Sequence, residues 1–178
     1  MRSRVVANLL LSQDNRATLG GSSKALSFPA DRSRFHELRK SAALIVIGGN
    51  TARHEPYATT PTPLVVLTHS PTLTDLGSVA LNPQARIAHS EIDLLLDDLR
   101  DSVGPGTSIL IEAGPALITR ALELHAIDDL YLSRSDLLGD PNAPAYDLAN
   151  LLHNYQLVEE REASGGSFRR YLLAPTTS

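Results

Sequence analysis

Two acidic residues follow apolar segments of the chain and could carry acid–base chemistry. Asp14 comes three residues after the first apolar run, in Ser12-Gln13-Asp14-Asn15, and Glu112 comes directly after the run Ser108–Ile111. If both runs are strands of one sheet, the two carboxylates face one cleft, where they can orient or protonate a polar substrate. Burying an unpaired carboxylate is costly, so we expect Glu112 to have a cation, a ligand or a backbone N–H group as partner. Asp-Asn pairs are also common in turns, and a structural role of Asp14 stays open.

Two glycine-containing turns also follow apolar runs. Gly48-Gly49-Asn50-Thr51 comes after Leu44–Ile47, and Glu112-Ala113-Gly114-Pro115 comes after Ser108–Ile111. The carboxyl ends of parallel strands share one sheet edge, and a helix that starts there presents free N–H groups and the positive end of its dipole. Glycine lets the backbone approach a phosphate, and proline suits the first helical turn. The turns therefore predict a site for a dinucleotide pyrophosphate, although each alone is also ordinary turn chemistry and neither has the GxGxxG or Walker pattern.

Basic residues recur along one predicted helix. Arg32, His36 and Arg39 are spaced i, i+4 and i+7, which places them on one helical face. Beside the cleft this face could hold an anion. For Arg32 and His36 an ordinary solvated surface is the favoured interpretation.

Other familiar catalytic patterns are absent from the sequence. The chain has no cysteine, the HExxH motif is missing, and no serine lies in GxSxG or SxxK. The remaining histidines lack metal-ligand spacing, so we predict no metal site and no serine hydrolase. These histidines are His54, His69, His89, His125 and His153.

Short runs rich in leucine or β-branched residues predict the strands that position these groups. Between them lie segments with helical spacing, and alternation of the two predicts an α/β fold with a largely parallel sheet. Two further strands around Ala163-Ser164-Gly165-Gly166 predict an antiparallel C-terminal hairpin. The predicted strands are Val5–Leu11, Leu44–Ile47, Leu64–Leu67, Ser108–Ile111, Leu130–Leu132, Gln156–Glu162 and Ser167–Leu173, and the predicted helices are Asp31–Ser41, Ile92–Ser102 and Ala116–His125.

The composition predicts one globular domain over residues 1–178. The 178 residues are 42% hydrophobic and 20% charged, enough apolar material for one core. The net charge of -4 and the scattered basic residues argue against a nucleic-acid partner. The apolar run Val5–Leu11 is too short for a membrane span or a signal sequence, so we expect no membrane partner and a cytoplasmic location.

Several short motifs occur in an order that resembles a known family. The motifs are Val6-Ala7-Asn8-Leu9-Leu10-Leu11-Ser12-Gln13-Asp14, Ser27-Phe28-Pro29-Ala30-Asp31-Arg32, Leu38-Arg39, Gly48-Gly49-Asn50-Thr51-Ala52-Arg53-His54-Glu55-Pro56 and Glu112-Ala113-Gly114-Pro115. In order and spacing they resemble the C-terminal reductase domain of the bifunctional riboflavin-biosynthesis deaminase-reductases. The resemblance implies a dihydrofolate-reductase-like three-layer α/β/α fold, NADPH as hydride donor and a homodimer. It also implies reduction of the ribosyl group of a phosphoribosylamino-pyrimidine to a ribityl chain.

The resemblance assigns roles by position. Asp14 matches the acidic residue of the family's Ser-Leu-Asp-Gly motif and, with Glu112, is predicted to be catalytic. Ser23, Arg39 and Glu112 fall where the family contacts substrate, Thr51 and Glu55 fall where it contacts the cofactor, and His69 and Ser70 match the region near the adenosine phosphate. With the glycine turns included, the predicted cofactor-binding residues are Gly48, Gly49, Thr51, Glu55, His69, Ser70, Gly114, Pro115, Ala116, Leu117 and Ile118.

The chain departs from the family pattern at three places. Asn15 replaces a usual glycine, Ala25 replaces a frequent tryptophan, and the loop Tyr57–Pro63 lacks an arginine that often holds substrate phosphate. Nothing resembles the deaminase zinc signature, so we expect deamination to occur in another protein. Two alternatives stay open: a folate, pterin or other small-molecule reductase on this fold, and a non-catalytic NADPH-binding protein.

We also predict that the homodimer contact includes the sheet edge or the C-terminal hairpin, where apolar side chains concentrate. An apolar edge needs covering, by a partner or by the helices of the same chain. The residues concerned are Tyr155, Leu157, Val158, Tyr171 and Leu173.

Overall fold

The computed structural model describes residues 2–175, which form an α/β structure around one eight-stranded sheet. In chain order the strands are β1 (Arg4–Leu11), β2 (Leu44–Gly48), β3 (Leu64–Leu67), β4 (Ala85–Ala88), β5 (Ser108–Ile111), β6 (Asp129–Ser135), β7 (Tyr155–Ala163) and β8 (Gly166–Leu173). Across the sheet their order is β4-β3-β2-β5-β1-β6-β8-β7. The first six pair in parallel, β8 pairs antiparallel with β6, and β7 pairs antiparallel with β8. The predicted mostly parallel sheet with an antiparallel C-terminal hairpin is confirmed.

Five α-helices connect the strands within residues 2–175. They are α1 (Pro29–Ser41), α2 (Gly49–His54), α3 (Ile92–Val103), α4 (Pro115–Glu123) and α5 (Leu148–Leu151). The helix predicted to run to His125 ends earlier, because His125 adopts a left-handed φ of 52° that no α-helix continues. None of the helices in this part of the chain is long and apolar enough to cross a membrane.

Three of these elements were not predicted from the sequence. Strand β4 has only four residues, and the exposed Arg86 interrupts its run of apolar residues. It is held in the sheet by its parallel pairing with β3. Helices α2 and α5 have six and four residues, too few to show an apolar period. All three are local structures that tertiary contacts complete.

Alternate strand residues pack into two apolar layers, one on each face of the sheet. Val46 and Ile111 belong to the layer covered by α3 and α4, which we call the α3 face. Ile47 and Leu110 belong to the opposite layer, against which Leu38 of α1 packs, and we call this the α1 face. Helices therefore cover both faces, as the predicted three-layer arrangement requires.

The C-terminal hairpin depends on a tight glycine turn. A Cβ atom on Gly166 would lie 2.3 Å from the carbonyl oxygen of Arg134 and 2.7 Å from the ring of Phe28. The glycine therefore allows β8 to pair closely with β6 while Phe28, just before α1, packs on the turn.

The apolar residues of the hairpin divide between core and surface. Tyr155 is buried in the α3-face layer, and Tyr171 and Leu173 pack against that layer. Leu157 and Val158, in contrast, are 44% and 43% exposed on the edge strand β7. The alternative of packing within the chain thus holds for three of the five residues predicted at a dimer contact.

Candidate active site

The two glycine turns meet at the carboxyl edge of the sheet, because β2 and β5 are neighbours. The N–H group of Glu112 donates to the carbonyl oxygen of Val46 at 2.9 Å, which aligns the ends of the two strands. A Cβ atom on Gly48 would lie 3.5 Å from Leu117, and one on Gly114 would lie 3.9 Å from Thr51 Oγ1. The structure therefore brings together the two turns that were predicted to form one site.

Helix α4 begins directly in this crevice. Gly114 is its N-cap and Pro115 its first residue, and no side chain caps this end of the helix. The N–H group of Ile118 donates to the Gly114 carbonyl oxygen at 3.3 Å, so the N–H groups of Ala116 and Leu117 are those without an acceptor inside the helix. Pro115 has no N–H group and Ile118 is buried in the α3-face layer. Of the predicted segment, Gly114, Ala116 and Leu117 are the residues whose N–H groups can donate to an anion.

The other side of the crevice is built by α2 and the end of β3. A Cβ atom on Gly49 would lie 2.5 Å from Thr68 Oγ1, so only glycine lets the first turn of α2 pack against this threonine. Thr68 Oγ1 accepts the N–H group of Ser70 at 3.1 Å. Thr51 lies in the middle of α2, whereas Glu55 ends it, donating its N–H group to the Thr51 carbonyl oxygen at 3.0 Å.

Sequence reasoning missed Arg53, which the structure places at the end of β3. Its Nη2 donates to Ser70 Oγ at 2.9 Å, and the adjacent His69 is exposed. Within residues 2–175 Arg53 forms no ion pair, so its charge is not neutralised by a carboxylate. A usable signal was its position in the motif Gly48-Gly49-Asn50-Thr51-Ala52-Arg53, which begins with the first glycine turn.

Glu112 and Arg39 form a bidentate ion pair on the α1 face. Arg39 Nε lies 2.7 Å from Oε1 of Glu112, and Arg39 Nη2 lies 2.6 Å from Oε2. The side chains are 17% and 4% exposed, so the pair is largely removed from water. Burial opposes the charge of Arg39, but the hydrogen bonds and the charge of Glu112 raise the pKa of the guanidinium. Glu112 thus has the cationic partner expected from its position.

Tyr57 completes this cluster and was not identified from the sequence. Its hydroxyl donates to Oε2 of Glu112 at 2.8 Å, and its ring lies under the Arg39 guanidinium, 5.0 Å from the ring centroid. Burial and the negative charge of Glu112 raise the pKa of Tyr57 well above its ordinary value. Both carboxylate oxygens of Glu112 are therefore engaged, whereas Nη1 of Arg39 has no hydrogen bond among the described residues.

Asp14 lies in a different network, between two loops. Its carboxylate accepts hydrogen bonds from Ser12 Oγ at 2.6 Å, Arg16 Nε at 2.8 Å and the N–H group of Gly139 at 2.8 Å. The bond from Ser12 is the main cause that lowers the pKa of Asp14, so this carboxyl stays ionised at neutral pH. An ionised carboxylate is poorly suited to donate a proton. The contacts of Asp14 instead join the loop after β1 to the loop after β6.

Ser23 is the first residue of a short 3-10 helix, Ser23–Leu26, and is exposed. The segment before it is held by Asp140, whose two carboxylate oxygens accept the N–H groups of Gly20 and Gly21 at 2.7 and 3.0 Å. These bonds lower the pKa of Asp140. Among the hydrogen bonds of residues 2–175, none joins Ser23 to the Arg39–Glu112 pair.

The departure at Asn15 has a backbone explanation. Asn15 has a φ of 62°, a left-handed conformation that favours glycine and that asparagine tolerates better than most residues. Its carbonyl oxygen accepts the N–H group of Tyr146 at 2.8 Å. Asparagine therefore preserves the turn that a glycine would form here.

Comparisons with known proteins identify similar sequences and structures. The sequence model of a family described as RibD C-terminal domain matches residues 4–146. A search of curated proteins finds no match. Among solved structures, RibD of Acinetobacter baumannii is 16% identical, with a TM-score of 0.73 over 97% of this chain and 58% of that chain.

Two further structures share the fold. A diaminohydroxyphosphoribosylaminopyrimidine deaminase/5-amino-6-(5-phosphoribosylamino)uracil reductase of Thermotoga maritima is 14% identical, with a TM-score of 0.63 over 97% of this chain and 57% of that chain. A pyrimidine reductase-like protein of Corynebacterium diphtheriae is 19% identical, with a TM-score of 0.67 over 97% of this chain and 92% of that chain. The chain thus spans under three fifths of the length of the first two proteins. These likenesses establish the common fold.

Proposed function

Because the chain belongs to the RibD C-terminal domain family, a family of reductases, we propose that it is a NADPH-dependent reductase acting in riboflavin biosynthesis. The proposed substrate is 5-amino-6-(5-phosphoribosylamino)uracil or a closely related pyrimidine, whose ribosyl group becomes a ribityl chain. The proposal treats residues 1–178 as one reductase domain. It rests on the family and on the crevice at the carboxyl edge of the sheet.

The observation that carries the proposal is the meeting of the two glycine turns at the start of α4. The free N–H groups of Ala116 and Leu117, together with the helix dipole, form a site suited to a pyrophosphate. Gly114 leaves its side of the crevice open, since the nearest atom to a Cβ there is 3.9 Å away. Ligands of open α/β sheets bind at such edges, outside the carboxyl ends of the strands. The residues present therefore fit a dinucleotide.

The end of β3 supports NADPH over NADH. Arg53 offers a guanidinium that has no carboxylate partner within residues 2–175, and Ser70 adds a hydroxyl at 2.9 Å from it. An arginine near the adenosine ribose suits a 2′-phosphate, because planar N–H donors match phosphate oxygens. We propose that Arg53, Ser70 and His69 contact this phosphate.

When bound, NADPH supplies the hydride. The chain holds the substrate beside it, and we propose that Nη1 of Arg39 and the hydroxyl of Ser23 bind its polar groups. Glu112 then acts as a positioning residue, because its two bonds hold the Arg39 fork in one orientation. Asp14 accepts the N–H group of Gly139 and so joins the loop that precedes Ser23 to the loop after β6.

The exposed edge of the sheet supports a homodimer. Strand β7 ends the sheet, with a register shift between Leu157 and Glu159, and it exposes Leu157 and Val158. An unpaired edge with exposed apolar side chains is suited to a second copy of the chain. We propose that β7 lies in the dimer contact.

The decisive experiment follows NADPH oxidation with candidate substrates. The deaminated phosphoribosylamino-uracil is generated by a separate deaminase, and dihydrofolate and dihydropterin are offered in parallel. We expect turnover with the phosphoribosylamino-uracil and formation of its ribityl product. Turnover with a pterin alone would show that the substrate is a pterin and not the phosphoribosylamino-uracil. Tight NADPH binding without any turnover would support a non-catalytic binding protein.

A further inference from the structure

Two histidines that are far apart in sequence meet on the surface, away from the crevice. His125 Nε2 and His153 Nε2 each lie 2.8 Å from the side-chain nitrogen of Asn154. The two rings are 6.2 Å apart between centroids and nearly perpendicular. Both histidines are exposed, so their nitrogens can be reached from solvent.

The backbone fixes both sides of this cluster. His125 lies in the turn just after α4 with a φ of 52°, and its N–H group donates to the Leu122 carbonyl oxygen at 3.0 Å. Asn154 directly precedes β7, and its carbonyl oxygen accepts the N–H group of Ala174 at 2.9 Å. The side chains are therefore presented by two anchored segments, the end of α4 and the start of the hairpin.

The hydrogen bonds of His153 define its tautomer. Its Nδ1 lies 2.5 Å from the carbonyl oxygen of Asn150, which can only accept, so Nδ1 carries the proton. Nε2 of His153 consequently presents a lone pair. The Asn154 amide has two hydrogens and can donate one to each histidine, which requires a lone pair on His125 Nε2 as well. Both imidazole lone pairs thus point at the amide nitrogen of Asn154.

We propose that this cluster, His125, His153 and Asn154, is a surface site for a divalent transition-metal ion, with Zn²⁺ as the ion that best fits it. The ligands are Nε2 of both histidines and, after a 180° turn of the amide, Oδ1 of Asn154, with water completing a tetrahedron. Tetrahedral Zn²⁺ with bonds of about 2.0–2.1 Å places its ligand atoms about 3.4 Å apart. The Asn154 amide atom, now 2.8 Å from each Nε2, needs to move away from each by about 0.6 Å to reach that spacing, and both imidazole rings must turn their lone pairs from the amide toward the ion.

Sequence spacing could not predict this site, because the two histidines are 28 positions apart and belong to different elements. The Asn150 carbonyl oxygen acts as the outer partner that orients a metal-binding histidine. Bound metal would tie the end of α4 to the start of β7. The proposal is independent of the proposed reductase activity.

The test is a titration of the untagged, metal-free chain with ZnCl₂, monitored by calorimetry and by the melting temperature, with MgCl₂ as the ion control. We expect saturable binding of one Zn²⁺ per chain and a rise in melting temperature. Losing even an outer-shell partner costs about 10–100-fold in metal affinity, so His125→Ala and His153→Ala should each weaken binding by at least about tenfold. His36→Ala, an exposed histidine on α1, is the matched control and should bind as the parent does.

Asn154→Asp separates a metal site from a purely structural amide clamp. A carboxylate is a stronger ligand than an amide oxygen, so this variant should bind Zn²⁺ at least as tightly as the parent. If Asn154 is only a structural clamp, the aspartate variant loses both donated hydrogen bonds, and Zn²⁺ does not raise its melting temperature. The proposal is overturned if the parent binds no Zn²⁺, or if the two alanine variants bind it as tightly as the parent; melting without metal shows that each variant is folded.

Discussion

Replacing Glu112 with glutamine should test whether this carboxylate supports the fold, the substrate or both. Three donors converge on its two oxygens: Arg39 Nε on Oε1, and Arg39 Nη2 and the Tyr57 hydroxyl on Oε2. Glutamine keeps the shape but replaces one oxygen with a donor group. In the better orientation its amide nitrogen faces Arg39 Nε, so one charge-assisted bond is lost and the guanidinium loses its counter-charge.

The magnitude follows from the burial of the pair. Removing one partner of a buried ion pair costs about 3–5 kcal/mol, and the 17% exposure of Arg39 favours the lower end of that range. For a chain of this size, 1 kcal/mol lowers the melting temperature by about 2–4 °C. We therefore expect Glu112→Gln to melt about 6–12 °C below the parent, with a matching decrease in the free energy of unfolding measured in urea.

Two further variants make the result specific. Glu37→Gln removes an exposed carboxylate from the same helix as Arg39 and should change the free energy of unfolding by less than about 0.5 kcal/mol. The double variant Arg39→Met/Glu112→Leu removes both buried charges and should be more stable than Glu112→Gln. If Glu112 positions Arg39, kcat/KM for the pyrimidine should fall while NADPH affinity is retained.

One result would refute this reasoning. If Glu112→Gln melts within about 2 °C of the parent and loses turnover, the ion pair contributes little and the carboxylate acts on substrate directly. A retained specific activity at low temperature, with early melting, would instead make the cluster purely structural. Melting curves and steady-state kinetics on the same preparations distinguish these outcomes.

The remaining predictions address the cofactor site, the loops and the sheet edge. Arg53→Ala should raise the KM for NADPH by about 10-fold or more, the worth of a charge-assisted hydrogen bond, and leave the KM for NADH unchanged; equal effects on both would contradict a 2′-phosphate contact. Gly49→Ala should weaken binding of either nucleotide and lower the melting temperature, because its Cβ would lie 2.5 Å from Thr68 Oγ1, and calorimetry with NADPH checks this. The lowered pKa of Asp140 means that its contribution is complete above the ordinary carboxyl pKa of 3.8 and is lost as the pH falls through the lower folded value. The protection factor of the Gly20 amide, which corrects for the slower intrinsic exchange in acid, should therefore fall as the pH is lowered, and Asp140→Asn should reproduce this fall at neutral pH; an unchanged protection factor in that variant would argue against this role of Asp140. Val158→Lys should shift the chain toward monomer in light scattering, whereas an unchanged mass would place the contact elsewhere.

The cofactor crevice was partly predictable because its signals are local. Gly48, Gly114 and Pro115 are turn residues with backbone properties that do not depend on distant parts of the chain. Parallel pairing then requires the ends of the strands to share an edge. Arg53 could not be placed in the same way, since its contact with Ser70 depends on how α2 packs against β3.

The roles of the charged residues were less predictable. The cost of burying a charge predicted that Glu112 has a partner. It did not predict which residue that is, because Arg39 lies on helix α1, 73 positions away in the sequence. Asp14 was paired with Glu112 in the sequence-based hypothesis, and the structure instead binds it to Gly139 in another loop. Side-chain direction at the end of a strand decides such contacts.

The sequence by itself determined the α/β class, a largely parallel sheet with an antiparallel hairpin, and the positions of the two glycine turns. These follow from apolar periodicity and backbone restrictions, which act over a few neighbouring residues. Tertiary structure alone decided that Arg39, Tyr57 and Glu112 form one buried cluster, and that His125 meets His153. Charged and polar side chains acquire their partners from segments far away in the chain, and only the packing of helices on the sheet determines which segments meet.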